Sequence, residues 1–176
     1  MKKEMKDFNN RAITDLFSPC NGCIYWEAPE KFGKDEHGKP KVREDEAIEI
    51  KRGWFKKIRD MFGCGGKILY VEGEAVGYSQ YAPPQLLPNI AEYSPQLFPP
   101  SPDAILISCL YIREEYQRGR LGTELLQTVL NDLRERGYHA VETYSRDDSA
   151  NNCSGPTLKM VSVYLKQRNG EMRFSL

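Results

Sequence analysis

The stretch Ala104–Ile112, AILISCLYI, limits the fold more than any other part of this chain. It is apolar at successive positions, interrupted only by Ser108. A strand with water on one side alternates apolar and polar residues, whereas one apolar on both faces must be covered from both sides. The stretch is therefore predicted to be a central strand; it is far short of the roughly 20 residues that a membrane-crossing helix needs. A short turn with Gly119 and Gly122 follows. Leu121–Arg136 then carries Leu121, Leu125, Leu126, Val129, Leu130 and Leu133 along one helical stripe, with Gly137 where a helix ends. His139–Tyr144 reads as a second strand. Strand, helix and strand in succession predict a crossover unit over Ala104–Tyr144 holding a parallel pair.

The flanking segments add further elements. Apolar residues at Phe8, Ala12, Ile13, Leu16 and Phe17 predict a helix over Asp7–Phe17, ended by Ser18-Pro19. Cys23–Trp26 reads as a short strand and Lys31–Glu46 as a charged loop. From Glu46 to Phe62, Ile50, Trp54, Phe55, Ile58 and Phe62 mark one face of an amphipathic helix, with Lys51, Arg52, Lys56, Lys57 and Arg59 on its other faces. Lys67–Glu72 and Ala75–Tyr81 are predicted to form a hairpin turning at Gly73-Glu74. Ala82–Pro102 holds seven of the 11 prolines, which predicts an extended connection that is neither helix nor central strand. Its Leu86, Leu87, Tyr93, Leu97 and Phe98 predict that it packs on the body. Asp147–Pro156 reads as a polar loop, Thr157–Gln167 as a last helix, and Glu171–Leu176 as at most one short strand. The fold class expected is α/β with a mixed sheet flanked by helices, in a single domain spanning residues 1–176.

Composition narrows the function classes. The 176 residues carry 25 Lys+Arg against 25 Asp+Glu, and mean hydropathy is −0.61. Zero net charge argues against a dedicated nucleic-acid binder, which normally shows a basic surplus. The charged opening Met1–Asp7 has no apolar signal region. With that, five cysteines, an odd number, predict reduced thiols and a cytoplasmic location.

The chemistry concentrates in Leu110–Leu126, LYIREEYQRGRLGTELL. A buried strand passes through a glycine- and arginine-bearing turn into a helix. The first turn of a helix presents unpaired N–H groups and partial positive charge, which together make an anion site. Arg118 and Arg120 can add charge-assisted contacts. The residues alone read as a phosphate-binding strand–turn–helix, or as a turn shaped by glycine with solvated arginines.

Gln117-Arg-Gly-Arg-Leu-Gly122 resembles the acetyl-CoA motif of the GNAT N-acetyltransferases, Gln/Arg-x-x-Gly-x-Gly/Ala. Arg120 stands where that family usually has its first glycine, so the match implies that the backbone there avoids strongly positive φ or that the loop shifts. The order of elements over Glu46–Tyr144 is similar to the GNAT core. Lys67–Pro84, Ala104–Leu126 and Cys20–Trp26 (CNGCIYW) resemble a bacterial and archaeal subgroup of unassigned substrate. The resemblance implies an acetyl-CoA-dependent acyltransferase acting on a primary amine by direct attack in a ternary complex, without a metal. It implies pyrophosphate on Gln117, Arg118, Gly119, Arg120, Leu121, Gly122 and Thr123, and pantetheine along Leu110, Tyr111 and Ile112. Tyr164, in Tyr164-Leu-Lys166-Gln-Arg-Asn-Gly170, is the implied acid, on the last helix. Glu142 or Glu72 is a candidate base acting through water. The family usually ends in a helix and two strands, so the 30 residues after Arg146 imply a shortened C-terminal end. The expected partner is a small-molecule or peptide amine, with no nucleic acid and no membrane; a homodimer stays open. A non-catalytic acyl-CoA-binding sensor or interaction module of the same fold is the alternative.

Other candidates read more plainly. Cys20 and Cys23 lack the further ligands a zinc site needs and precede the expected strand, which favours structural thiols over a redox pair. Cys109 reads as core. Trp54 and Phe55 read as core rather than as a nucleic-acid surface. Tyr81, Tyr93, Phe98, Tyr144 and Asp147 are expected near the acceptor entrance.

Overall fold

The computed structural model describes residues 2–9, 12–93, 101–146, 158–165 and 173–175. Its centre is a seven-stranded sheet in sequence order: β1 (Lys3–Asp7), β2 (Gly66–Val71), β3 (Glu74–Ala82), β4 (Ala104–Ile112), β5 (Ala140–Arg146), β6 (Leu158–Tyr164) and β7 (Arg173–Ser175). Neighbours are antiparallel except β4 and β5, which run parallel with Ala104 opposite Ala140 and Ile107 opposite Thr143. The helices are α1 (Glu44–Met61), the single turn α2 (Ile90–Tyr93) and α3 (Leu121–Glu135), which makes the β4–β5 crossover.

The sheet is covered on both faces, as the composition of β4 requires. Trp54, Phe55 and Ile58 of α1 pack with Ile68, Tyr70, Tyr78, Ala82 and Leu106 on one face. On the other, Val129, Leu130 and Leu133 of α3 pack with Tyr81, Ile105, Ile107 and Val141. Leu121 and Leu125 pack there with Leu69, Val71, Val76 and Ile112. At Gly77 an added Cβ would lie 2.7 Å from Ile112 Cδ1 and 3.1 Å from Leu69 Cβ, so the absent side chain lets the end of β4 seat against β3. The β2–β3 turn is made at Gly73, whose φ of 86° is a conformation that favours glycine.

Several expectations are corrected. The helix expected over Asp7–Phe17 is corrected: β1 ends at Asp7, and among the described residues only the 3-10 turn Ala12–Asp15 follows. Phe8, Ala12, Ile13 and Leu16 are buried nonetheless, so the apolar spacing reported burial rather than helix. Strand β1, KEMKD, escaped the sequence reading because an edge strand exposes most of its side chains; only Met5 packs inward. Cys23–Trp26 belongs to a turn region rather than a strand, with Ala28 N–H donating to the Ile24 carbonyl at 2.9 Å. The proline-rich connection buries Leu86 and Leu87 as expected, but includes the one-turn α2. The helix expected over Thr157–Gln167 is corrected in its described part: Leu158–Tyr164 is strand β6, antiparallel to β5. Within Glu171–Leu176, Arg173–Ser175 forms the one short strand expected there, β7, so that two strands, β6 and β7, follow β5. The loop expected over Asp147–Pro156, and Leu97 and Phe98, lie outside the described residues. Among the described residues, no helix is long and apolar enough to cross a membrane.

Candidate functional site

Strands β4 and β5 share a ladder only from Ala104 to Ile107, yet β4 runs on to Ile112 and β5 to Arg146. Beyond the last rung the strands form a wedge. Burial along β4 changes at that point: Ala104–Ile107 are buried, and Ser108–Tyr111 are half-buried or exposed. The register with β3 also slips here, from Tyr81 opposite Ile107 to Gln80 opposite Cys109, which makes Ser108 a β-bulge.

Past the bulge, the edge of β4 away from β3 has no strand beside it among the described residues. Arg113 N–H donates to the Val76 carbonyl at 2.9 Å. By antiparallel alternation Tyr111 and Cys109 then bond to β3, while Leu110 and Ile112 turn their N–H and C=O groups to the open edge. The Ile112 carbonyl accepts the Gln117 side-chain amide at 2.8 Å, as that orientation requires.

The open edge leads into the turn before α3. A cleft of about 260 Å³ is lined by Ile112, Tyr116, Gln117, Arg118, Arg120, Leu121, Gly122 and Thr123. No side chain caps the N-terminus of α3, so its first N–H groups face the cleft as donors. Arg118 and Arg120 are exposed, and neither forms an ion pair among the described residues. Of the two alternatives at Arg120, avoidance of positive φ is excluded. Arg120 has φ 63° and ψ 4°, in the left-handed region, and Arg118 also has φ 63°. The chain thus takes a glycine-like conformation with arginine side chains. Neighbouring Arg113 is turned away, paired with Glu74 and Glu115 and lying over the Tyr116 ring.

The cleft therefore gathers Ile112 and most of the expected pyrophosphate residues. Gly119 is not part of its lining, and Leu110 and Tyr111 lie farther back along β4. Tyr164 stands elsewhere. Its backbone pairs with Ala140, level with Ala104, and six residues of strand put Leu110 about 20 Å further along β4. The helical frame that made Tyr164 the implied acid is replaced by β6. Glu142 is buried, and its carboxylate accepts Ser101 N–H at 2.8 Å and Ser101 Oγ–H at 2.7 Å. Glu72 lies in the β2–β3 turn and accepts Lys2 N–H at 2.6 Å.

On the α1 side of the wedge stand Cys109, Tyr111 and Tyr144, with the Trp26 and Tyr144 rings parallel at 6.5 Å between centroids. The Cys109 thiol is held well above its ordinary value by its hydrogen bond with Cys20 and by burial; burial pushes the Cys23 thiol up to about 12. Such thiols stay protonated at neutral pH and are poor nucleophiles. No set of three or more His, Cys, Asp or Glu side chains among the described residues could hold a metal. Tyr81 is corrected. It lies beneath α3, its hydroxyl donating to Asp132 at 3.3 Å, rather than at the entrance. The Tyr93 side chain, Phe98 and Asp147 lie outside the described residues.

The model of the Acetyltransferase (GNAT) family matches residues 20–154, more than half of the chain. The chain belongs to the GNAT family. The fold is also that of solved GNAT-type enzymes. An N-acetyltransferase, PaiA, from Thermoplasma acidophilum in complex with coenzyme A superposes with TM-score 0.53 at 11% identity, covering 84% of this chain and 82% of its own. An N-acetyltransferase from Staphylococcus aureus Mu50 gives 0.52 at 14% identity, over 84% and 76%. The ribosomal-protein-alanine N-acetyltransferase from Brucella melitensis gives 0.51 at 19% identity, over 82% and 75%. No curated protein matches the sequence. Against this GNAT frame, the wedge past Ile107 and the cleft at α3 were only half legible. The glycine–arginine motif marked the cleft, whereas the wedge showed only as a serine inside an apolar strand.

Proposed function

We propose that this GNAT protein transfers the acetyl group of acetyl-CoA to a primary amine, small-molecule or peptide, by direct attack in a ternary complex. The observation that carries the reading is the continuity of an open strand edge with an anion cleft. The α3 N–H groups, Arg118 and Arg120 would hold the pyrophosphate. Leu110 and Ile112 would pair with the pantetheine amides along the open edge. The Leu110 N–H is the first backbone donor past the vertex that faces the wedge. It would bind the thioester oxygen as negative charge develops there. Acetyl-CoA supplies the activated carbonyl; the neutral amine would attack it from the Cys109–Tyr144 side, the C–S bond would break, and coenzyme A would leave as the thiol, the proton lost by nitrogen going to its sulfur. Neither Tyr164 nor Glu142 is used in this reading, because the first stands far along the sheet and the second is bonded to Ser101. A cytoplasmic location is the reading supported by the free thiols of Cys20, Cys23, Cys64 and Cys109.

Thermal unfolding with and without acetyl-CoA tests the proposal. Ligand at a hundred times its Kd stabilises by about 2.7 kcal/mol, a rise of roughly 5–11 °C for a chain of this size. The wild type should show this rise and an Arg118→Glu/Arg120→Glu variant should lack it. Release of free CoA thiol with a panel of amines then separates an enzyme from a module that only binds acyl-CoA. No shift in the wild type at millimolar acetyl-CoA overturns the proposal.

A further inference from the structure

The vertex of the wedge is held by two side-chain hydroxyls. Thr143 Oγ1 donates to the Ile107 carbonyl at 2.9 Å, within the last rung shared by β4 and β5. One residue later, Ser108 Oγ donates to the Gln80 carbonyl at 3.2 Å, across the bulge on the opposite edge of β4. The two bonds fasten adjacent residues of β4 to the strands on either side. Pairing with β5 stops there, and the open edge begins at Leu110.

Resting on the acetyl-CoA reading above, we propose that Thr143 and Ser108 are positioning residues: they fix where β4 parts from β5 and so aim the Leu110 N–H at the thioester arm of the cofactor. They do not touch the pyrophosphate, which would lie at the far end of the open edge, against α3. Loss of either hydroxyl lets the last rung and the bulge shift along the strand, displacing the Leu110 donor while leaving the α3 cleft as it is. A hydroxyl that merely supported the sheet would show no such preference for one end of the ligand.

The test is a pair of ligands and three variants, titrated by calorimetry. Acetyl-CoA carries the pantetheine arm; adenosine 3′,5′-bisphosphate lacks it. Thr143→Val is expected to weaken acetyl-CoA by about tenfold, the effect of one well-placed hydrogen bond, and to leave the bisphosphate within about twofold. Thr143→Ser, which keeps the hydroxyl, should restore wild-type binding of both. Ser108→Ala supplies the same comparison at the other pin should Thr143→Val fail to fold. Unchanged acetyl-CoA binding in the folded variants overturns the positioning role alone. So does equal weakening of both ligands, with Thr143→Ser no better than Thr143→Val. A wild type that binds no acetyl-CoA overturns the cofactor reading first and this inference with it.

Discussion

Lys51 of α1 and Glu27 form an ion pair sealed from solvent, their side chains 2% and 1% exposed. The pair fastens the Cys20–Trp26 segment to α1 beside the wedge, with the Lys51 ammonium 5.7 Å from the centre of the Tyr78 ring. Burial pushes the Lys51 amine down, but the Glu27 carboxylate, together with Cys23 and Cys109, holds it above the ordinary lysine value of 10.5.

Breaking this pair from one side leaves a buried charge without its partner. Glu27→Gln is expected to cost about 3–5 kcal/mol, measured as the shift in urea unfolding. The double variant Glu27→Gln/Lys51→Met should recover much of that loss. Because the folded amine titrates above its unfolded value, its contribution is complete below pH 10.5 and declines as pH rises through the folded value. Above pH 10.5, wild-type stability should therefore fall more steeply than that of the double variant; equal slopes would contradict the assignment.

Glu142 is expected to act in stability rather than in proton transfer. Its carboxylate anchors Ser101, three residues before β4 begins. Glu142→Gln keeps the shape and removes the charge assistance, which predicts a loss of about 1.5–3 kcal/mol. Turnover measured well below the lowered melting temperature should stay within about threefold of wild type. A hundredfold drop in kcat at unchanged melting temperature would return Glu142 to the catalytic machinery.

The sequence made some levels of this organisation readable and hid others, for physical reasons. The β4–α3–β5 crossover was legible because each element buries a long apolar pattern: β4 matches Ala104–Ile112 residue for residue. By sequence Lys51 falls on a face of α1 other than the apolar one, because residue type alone cannot show that Glu27, 24 positions earlier, comes to meet it. The segment of strand β6 reads equally as a helix, because seven residues of mixed polarity fit either period. Ser108 shows in the sequence only as a polar residue inside an apolar strand, and the hydrogen bonds of Ser108 and Thr143 are hidden because their partners are backbone carbonyls of other strands.

Gly77 is predicted to couple sheet packing to the cleft. A methyl group there would press on Ile112 Cδ1 and come within 3.4 Å of Leu125 Cδ2, a residue in the first turns of α3. Gly77→Ala should cost about 1–3 kcal/mol through this overpacking. Since Ile112 also lines the cleft, acetyl-CoA binding should weaken as well. Gly73→Ala, in the β2–β3 turn where an added Cβ would meet nothing within 4 Å, should lower stability through its positive φ and leave the affinity of the remaining folded protein unchanged. Calorimetric titration of both variants at a temperature where each is folded distinguishes the two effects.

Arg120 offers a test in which stability and binding move in opposite directions. Its φ of 63° is a conformation that costs an L-residue with a side chain roughly 1–2 kcal/mol. Glycine removes that strain but adds freedom to the unfolded chain, at a cost of about 0.5–1 kcal/mol. Arg120→Gly should thus raise stability by about 0.5–1 kcal/mol, or some 1–4 °C in melting temperature. The same change removes a guanidinium from the mouth of the cleft, so acetyl-CoA should bind more weakly and with a shallower dependence on salt. A variant more stable than wild type yet poorer at binding would show that the strained arginine is held for the ligand. If the melting temperature falls instead, the backbone at this position does not carry the strain that its dihedral angle implies.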